Sequence, residues 1–219
     1  VTMVATKKGT TTAVASNTWS TSTLEYTFTS HDVGASGATI YYCKDTANTC
    51  NPTTVATSGV KVTELNTLED TYYVRYKVVS GGGYTSATSS YTAKVDIKAP
   101  TITGVSGNPT AWTNQNVTLT VNGATDNAGG SGLQASAYSF DNGATWQTDN
   151  TKTYTGNTSN IIIKVRDIAG NVYTHSTINI TKVDKSEPTV TITATKKTAG
   201  TAVSSGTWSN QSLNFKLTS

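Results

Sequence analysis

The sequence predicts an all-β chain made of tandem two-sheet sandwiches, two complete and a third one truncated. Three observations predict it. Apolar residues alternate with a period of two and the runs are broken by clusters of Gly, Asn, Asp and Ser, which is the signature of half-buried strands and turns. The stretch Lys94-Val-Asp-Ile-Lys-Ala-Pro-Thr101 returns as Lys182-Val-Asp-Lys-Ser-Glu-Pro-Thr189, each copy closing one strand-like run and opening the next. Finally, the chain repeats itself in register. Val1-Thr-Met-Val-Ala-Thr-Lys-Lys8 aligns with Val190-Thr-Ile-Thr-Ala-Thr-Lys-Lys197, Trp19 with Trp208, and Ser30 with Ser219, at a constant offset of 189 residues. A period of this size is the mark of an array of similar units.

The repeats divide the chain into residues 1–98, 99–187 and 188–219. In the first unit Leu24, Tyr26 and Phe28 point to one face, with Glu25 and Thr27 on the other. Val117, Leu119 and Val121 are their counterparts in the second. A Gly-rich turn follows in each, Gly34–Gly37 and Gly129–Gly132. Next comes a hairpin, through Cys43 and Cys50 in the first unit and through Asp141-Asn-Gly143 in the second, where the three turn residues suit a tight reversal. A later strand runs through Tyr72–Val78 and, in the second unit, through Ile161–Arg166. It turns at Gly81-Gly-Gly83 or Ile168-Ala-Gly-Asn171 into the last strand. That makes about seven short strands per unit, the count of an immunoglobulin-like sandwich. Trp19, Trp112 and Trp208 recur just before the second strand, which predicts a shared packing position. The third unit supplies only about two strands, so Leu213, Phe215 and Leu217 lack a partner sheet. The chain opens inside a strand without an initiator Met and stops within a repeat, which predicts an excerpt of a longer protein cut at both ends.

Charged residues make up only 13% of the chain, and the net charge is +3. So small and diffuse a positive balance offers no groove for nucleic acid. The longest apolar run, Ile161–Ile163, is far too short for a membrane-spanning helix. Six residues separate Cys43 from Cys50, a spacing that suits a disulfide within one hairpin and not a CxxC metal or redox motif. A disulfide implies an oxidising, extracellular compartment.

The segments Thr125-Asp-Asn-Ala-Gly-Gly-Ser-Gly132, Ser139-Phe-Asp-Asn-Gly-Ala-Thr-Trp146 and Val165-Arg-Asp-Ile-Ala-Gly-Asn171 resemble bacterial Ig-like repeats. Such repeats build surface adhesins and secreted multi-modular proteins. The resemblance covers nearly all of the second unit and is weaker in the first, where Ser80 and Tyr84 replace Asp167 and Asn171. It implies a cell-surface or secreted module that serves as a stalk beside neighbouring repeats. The alternative is an adhesive module for host matrix protein or glycan, or an accessory carbohydrate-binding module of a secreted hydrolase. It does not imply catalysis. The two histidines, His31 and His175, fall in no nucleophile motif, and no Gly-rich phosphate loop opens a helix.

Two binding features remain. The sandwich topology places Asp126 and Asn127 near Asp167 and Asn171, beside the linker carrying Asp96. Three carboxylates with amide and backbone oxygens suit Ca²⁺, which takes six to eight hard oxygen ligands. In the first unit the matching loops offer Asp32 but also Ser80 and Tyr84, so the site there is poorer. The other feature is a group of tyrosines, Tyr41, Tyr42, Tyr72, Tyr73 and Tyr76. On a strand they cannot all face one way; three or more exposed together would favour binding.

Overall fold

The computed structural model describes residues 1–31, 37–63 and 70–219. Among them all regular structure is β-strand. The first unit holds β1 (Thr2–Lys7), β2 (Trp19–Ser20), β3 (Leu24–Thr29), β4 (Ala38–Asp45), β5 (Thr54–Ala56), β6 (Lys61–Val62), β7 (Asp70–Ser80) and β8 (Ser89–Val95). These strands form two sheets, β1-β3-β6 and β2-β8-β7-β4-β5. One core joins them, built from Leu24, Tyr26 and Phe28 of the first sheet and Ile40, Tyr72, Val74, Tyr91, Ala93 and Val95 of the second. Three buried phenols are satisfied inside it. The Tyr26 and Tyr72 hydroxyls lie 3.0 Å apart, and Tyr91 donates to the Val14 carbonyl at 2.8 Å. Burial pushes the Tyr72 and Tyr91 phenols up to about 12.

The second unit holds β9 (Gly104–Ser106), β10 (Val117–Asn122), β11 (Leu133–Ser139), β12 (Thr151–Tyr154), β13 (Thr158–Ile161), β14 (Lys164–Asp167), β15 (Val172–Thr174) and β16 (Ile178–Ile180). Its sheets are β12-β10-β9, β11-β14-β15 and β13-β16. Val117, Leu119, Val121, Ile161, Ile163, Val165 and Ile180 fill a separate core. The sequence reads Ile161–Arg166 as one strand, but the chain changes sheets inside it. β13 pairs with β16, while β14 pairs with β11 and β15. The register slips between Thr158 and Ile161, where Asn160 adopts a left-handed φ of 59°. Ile161 and Ile163, two residues apart, both face inward, so the apolar face runs on across the change of sheets. Gly107 is fixed by a close approach. At φ 98° its α-carbon lies so near the next strand that a β-carbon would sit 1.9 Å from the Thr118 carbonyl oxygen.

The third unit is a single sheet of β17 (Thr191–Lys196), β18 (Ala202–Val203) and β19 (Leu213–Thr218), in the order β18-β17-β19.

On the face opposite Leu24, Tyr26 and Phe28, Glu25 is 7% exposed and pairs with Lys61 at 2.8 Å, and this bond holds its carboxyl below the usual range. One sequence expectation needs correction. The recurring tryptophans do not share a core position. Ser20 takes the inward place, 1% exposed, which turns Trp19 outward onto Lys94 with 5.7 Å between ammonium and ring centroid. Trp112 is 69% exposed and Trp208 fully so.

Candidate metal centre at the first joint

The joint is built where β8 runs out. The Asp96 amide donates to the Ser20 carbonyl at 3.0 Å, which carries the backbone past the end of β2. Its carboxylate then starts the linker, Oδ1 accepting from the Lys98 amide at 3.2 Å. Its other oxygen leaves the first unit altogether, for Oδ2 accepts from the Ser131 amide at 2.7 Å. Asn171 completes the grip, its side-chain Nδ2 donating to the Asp96 carbonyl at 2.9 Å.

Two loops of the second unit shape the receiving surface. In the loop after β10, Asp126 folds the chain back on itself. Its carboxylate accepts from the Asn127 amide at 2.9 Å and the Gly132 amide at 2.6 Å. At the end of β14, where the loop to β15 begins, Asp167 Oδ1 accepts from the Gly170 and Asn171 amides at 2.6 and 2.8 Å, and its Oδ2 from Asn171 Nδ2 at 2.8 Å. The loops lock together through Ile168, whose amide donates to the Gly132 carbonyl, and Ala169, whose amide donates to Ser131 Oγ at 3.0 Å.

One carboxylate oxygen from each of Asp96, Asp126 and Asp167 lies within 4.8 Å of the other two. Asp96 is 0% exposed and Asp167 1%. Burial pushes the Asp167 carboxyl above its ordinary value and the neighbouring Asp96 adds to this, against the bonds from Asn171 and Gly170. Between one described residue and another the one ion pair is Lys61–Glu25, so these three acids have none with a described Lys or Arg. Burying carboxylates without a counter-charge is costly even where amides bond to them.

The donor set fits a hard cation. Oxygens on one Ca²⁺ sit about 2.3–2.6 Å from it and hence up to about 5 Å from each other. A further acceptor is unused: Asn127 Oδ1 is buried and has no hydrogen-bond partner. It borders Gly130 together with Asp126 Oδ2, for a β-carbon there would come within 2.9 Å of Asn127 Oδ1 and 2.8 Å of Asp126 Oδ2. Asp96, Asp126 and Asp167 would hold the ion, with Asn127 as a fourth donor. The bound charge would cancel the repulsion that now opposes docking. Asn171 spends its amide nitrogen on Asp167 and Asp96, which makes it the clasp of this arrangement. Ser131 and Gly130 are parts of the site that the sequence reading took only as turn; nothing in their spacing announces contact with Asp96.

The corresponding places elsewhere differ. Asp184 repeats the Asp96 turn, its amide bonded to the Thr113 carbonyl at 2.9 Å and its Oδ1 to the Ser186 amide at 2.9 Å, yet it stays exposed. In the first unit Ser80 and Tyr84 keep the backbone of the Asp167–Asn171 turn, with the Tyr84 amide on Ser80 Oγ at 3.1 Å, but bring no carboxylate. Asp32 lies outside the described residues, as does most of the Gly34–Gly37 turn.

The remaining candidates divide as follows. Cys43 and Cys50 form a disulfide with Cα atoms 6.2 Å apart; it ties β4 to the loop before β5. Asp141 holds its hairpin, accepting from the Thr145 amide at 2.9 Å, from the Thr145 hydroxyl at 2.5 Å and from Ser139 Oγ at 2.7 Å. These bonds, the Thr145 hydroxyl first, hold its carboxyl down at about 2. Trp146 lies half-buried under the Arg166 guanidinium, 4.2 Å from the ring centroid. Of the five tyrosines, Tyr72 is core, and Tyr42 and Tyr76 pack on Phe28 with 5.5 Å between centroids. Tyr41 and Tyr73 alternate to the outer face, where the Cys43–Arg75 pair separates them along the ladder.

Searches against protein-family models, curated proteins and solved structures return no match for the chain.

Proposed function

We propose that the chain is part of an extracellular stalk, a run of immunoglobulin-like modules of the kind that bacterial surface adhesins and secreted multi-modular proteins use as spacers. In this reading Ca²⁺ stiffens the joint between residues 1–98 and 99–187. The observation that carries it is the meeting of Asp96, Asp126 and Asp167, one from the linker and two from the next unit, within 4.8 Å and without an ion pair to a described Lys or Arg. A spacer transmits length only if its joints resist bending, and this joint spends its polar groups on docking. The disulfide suits an oxidising compartment. The separation of Tyr41 from Tyr73 favours a spacer over an aromatic adhesive face.

The test is calorimetry of the intact chain at neutral pH. Ca²⁺ at one hundred times its dissociation constant adds about 2.7 kcal/mol to the species it binds, so melting rises with Ca²⁺ and falls back with EDTA. Identical melting curves in EDTA and in millimolar Ca²⁺ would sink the metal part of the reading.

A further inference from the structure

The Cys43–Cys50 bond does more than close a hairpin. Residues alternate along β4, Ile40 into the core and Tyr41 and Cys43 to the outer face of the five-stranded sheet. Across the ladder, Lys77 stands opposite Tyr41, and Arg75 opposite Cys43. Val55 of β5 flanks Tyr41 on its other side. The disulfide ties the start of the segment Cys50–Thr53 to this face. That segment gathers both cations. Arg75 Nη1 donates to the Cys50 carbonyl at 2.7 Å, and Lys77 Nζ to Asn51 Oδ1 at 3.3 Å. Tyr41, Pro52, Thr53, Lys77 and Val79 line one pocket of about 280 Å³. Pro52 is buried, and Tyr41, Lys77 and Val79 are half-buried, so its walls are held by packing.

Both cations have neutral partners. Neither forms an ion pair with a described residue. Asp45, the next outward residue of β4, spends its carboxylate on the Asn48, Thr49 and Cys50 amides. A cation bonded only to carbonyl oxygens keeps its charge, so this rim favours an anion. The rest of the pocket is different in kind. Tyr41, Pro52 and Val79 offer apolar surface, with the Tyr41 and Thr53 hydroxyls as the polar groups among them. The volume takes one sugar-sized ring. A flat C–H face, hydroxyls around the edge and a carboxylate at one corner describe a hexuronic acid. We propose that this pocket binds a hexuronate residue of an acidic polysaccharide, its ring on Tyr41 and its carboxylate on Lys77 with Arg75 alongside. An acidic peptide matches the charge but not the flat ring. The contact is half open to water, so salt screens it and a single residue binds weakly.

Amide NMR of the 219-residue chain, titrated in EDTA with a tetramer of galacturonic acid, tests this. Shifts are expected to cluster at Tyr41, Asn51, Thr53, Lys77 and Val79 and to shrink as salt is added. Tyr41→Ala and Lys77→Gln are each expected to weaken binding about tenfold, while the first core melts as before. The methyl ester of the same tetramer, which keeps the rings and loses the charge, is expected to bind about tenfold more weakly. Trp112→Ala, at an exposed position of the second unit, is expected to change nothing. The proposal is overturned by an absence of shifts at millimolar tetramer, by shifts centred elsewhere, or by binding that either pocket variant leaves unchanged. Equal binding of the methyl ester, or of tetraglutamate, overturns it as well. EDTA keeps Ca²⁺ out of every measurement, so failure here leaves the joint reading as it stands.

Discussion

Asn171 Nδ2 donates to the backbone carbonyl of Asp96 at 2.9 Å, across 75 residues of chain, and the same amide holds Asp167 Oδ2 at 2.8 Å. One side chain thus clasps the end of the first unit to the loop that presents the third carboxylate. Asn171→Ala removes both bonds and leaves the Asp167 carboxylate short of a donor in a buried place. The expected loss is about 1–3 kcal/mol, read by calorimetry, together with a smaller stabilisation by Ca²⁺. An unchanged calcium response in this variant would show that the clasp does not position the acids.

Asp141 gives a pH dependence of known sign. Its folded carboxyl is held at about 2 by Thr145 and Ser139, below its ordinary value of 3.8. A depressed acid contributes stability that is fully present above the unfolded value and is lost as pH falls from there toward the folded one. Asp141 is exposed, so water screens the effect and it is small. Asp141→Asn should flatten the acid limb of stability between about pH 4 and 2 in urea titrations, leaving stability at pH 7 lower by the cost of the weakened turn.

How much of this was legible in the sequence depends on the residue. The strands of the first unit follow from alternation, because Leu24, Tyr26 and Phe28 need one dry face. The Asp141-Asn-Gly143 turn follows from residue chemistry, and Asn142 does adopt a left-handed φ of 63°. The three acids were foreseeable from topology, since loops at one pole of a sandwich converge. Ser131 was not, for a backbone amide donor has no signature in residue type. Trp19 misled because recurrence reports a shared position without saying which way it points; the buried neighbour is Ser20. Ile161–Ile163 misled because an unbroken apolar run does not mark where the chain leaves one sheet for another, between Ile161 and Lys164.

Separate cores predict separable stability. Phe28 stacks on Tyr42 and lies against Tyr76 in the first core, which shares no residue with the second. Phe28→Ala is expected to cost the first unit about 3–5 kcal/mol. The transition of the second unit, followed through Trp146 fluorescence, is expected to stay where it was. Equal displacement of both transitions would mean that the two units unfold as one.

The Cys43–Cys50 bond closes a short loop, seven residues apart in sequence. Loop entropy gives such a link about 2 kcal/mol. Reduction, or Cys43→Ala with Cys50→Ala, should therefore lower the first transition modestly without unfolding the unit. Loss of all structure on reduction would show that the hairpin depends on the bond more than its Asp45 cap suggests; that carboxylate already accepts from the Asn48, Thr49 and Cys50 amides.

The stiffness of the joint is tested most directly by the distance between a spin label on Ala87→Cys and one on Lys152→Cys, measured by electron–electron resonance in Ca²⁺ and in EDTA. The account predicts a narrow distribution in Ca²⁺ that broadens in EDTA, and one that is broad in both for Asp96→Asn. A distribution that neither Ca²⁺, EDTA nor Asp96→Asn alters would contradict it.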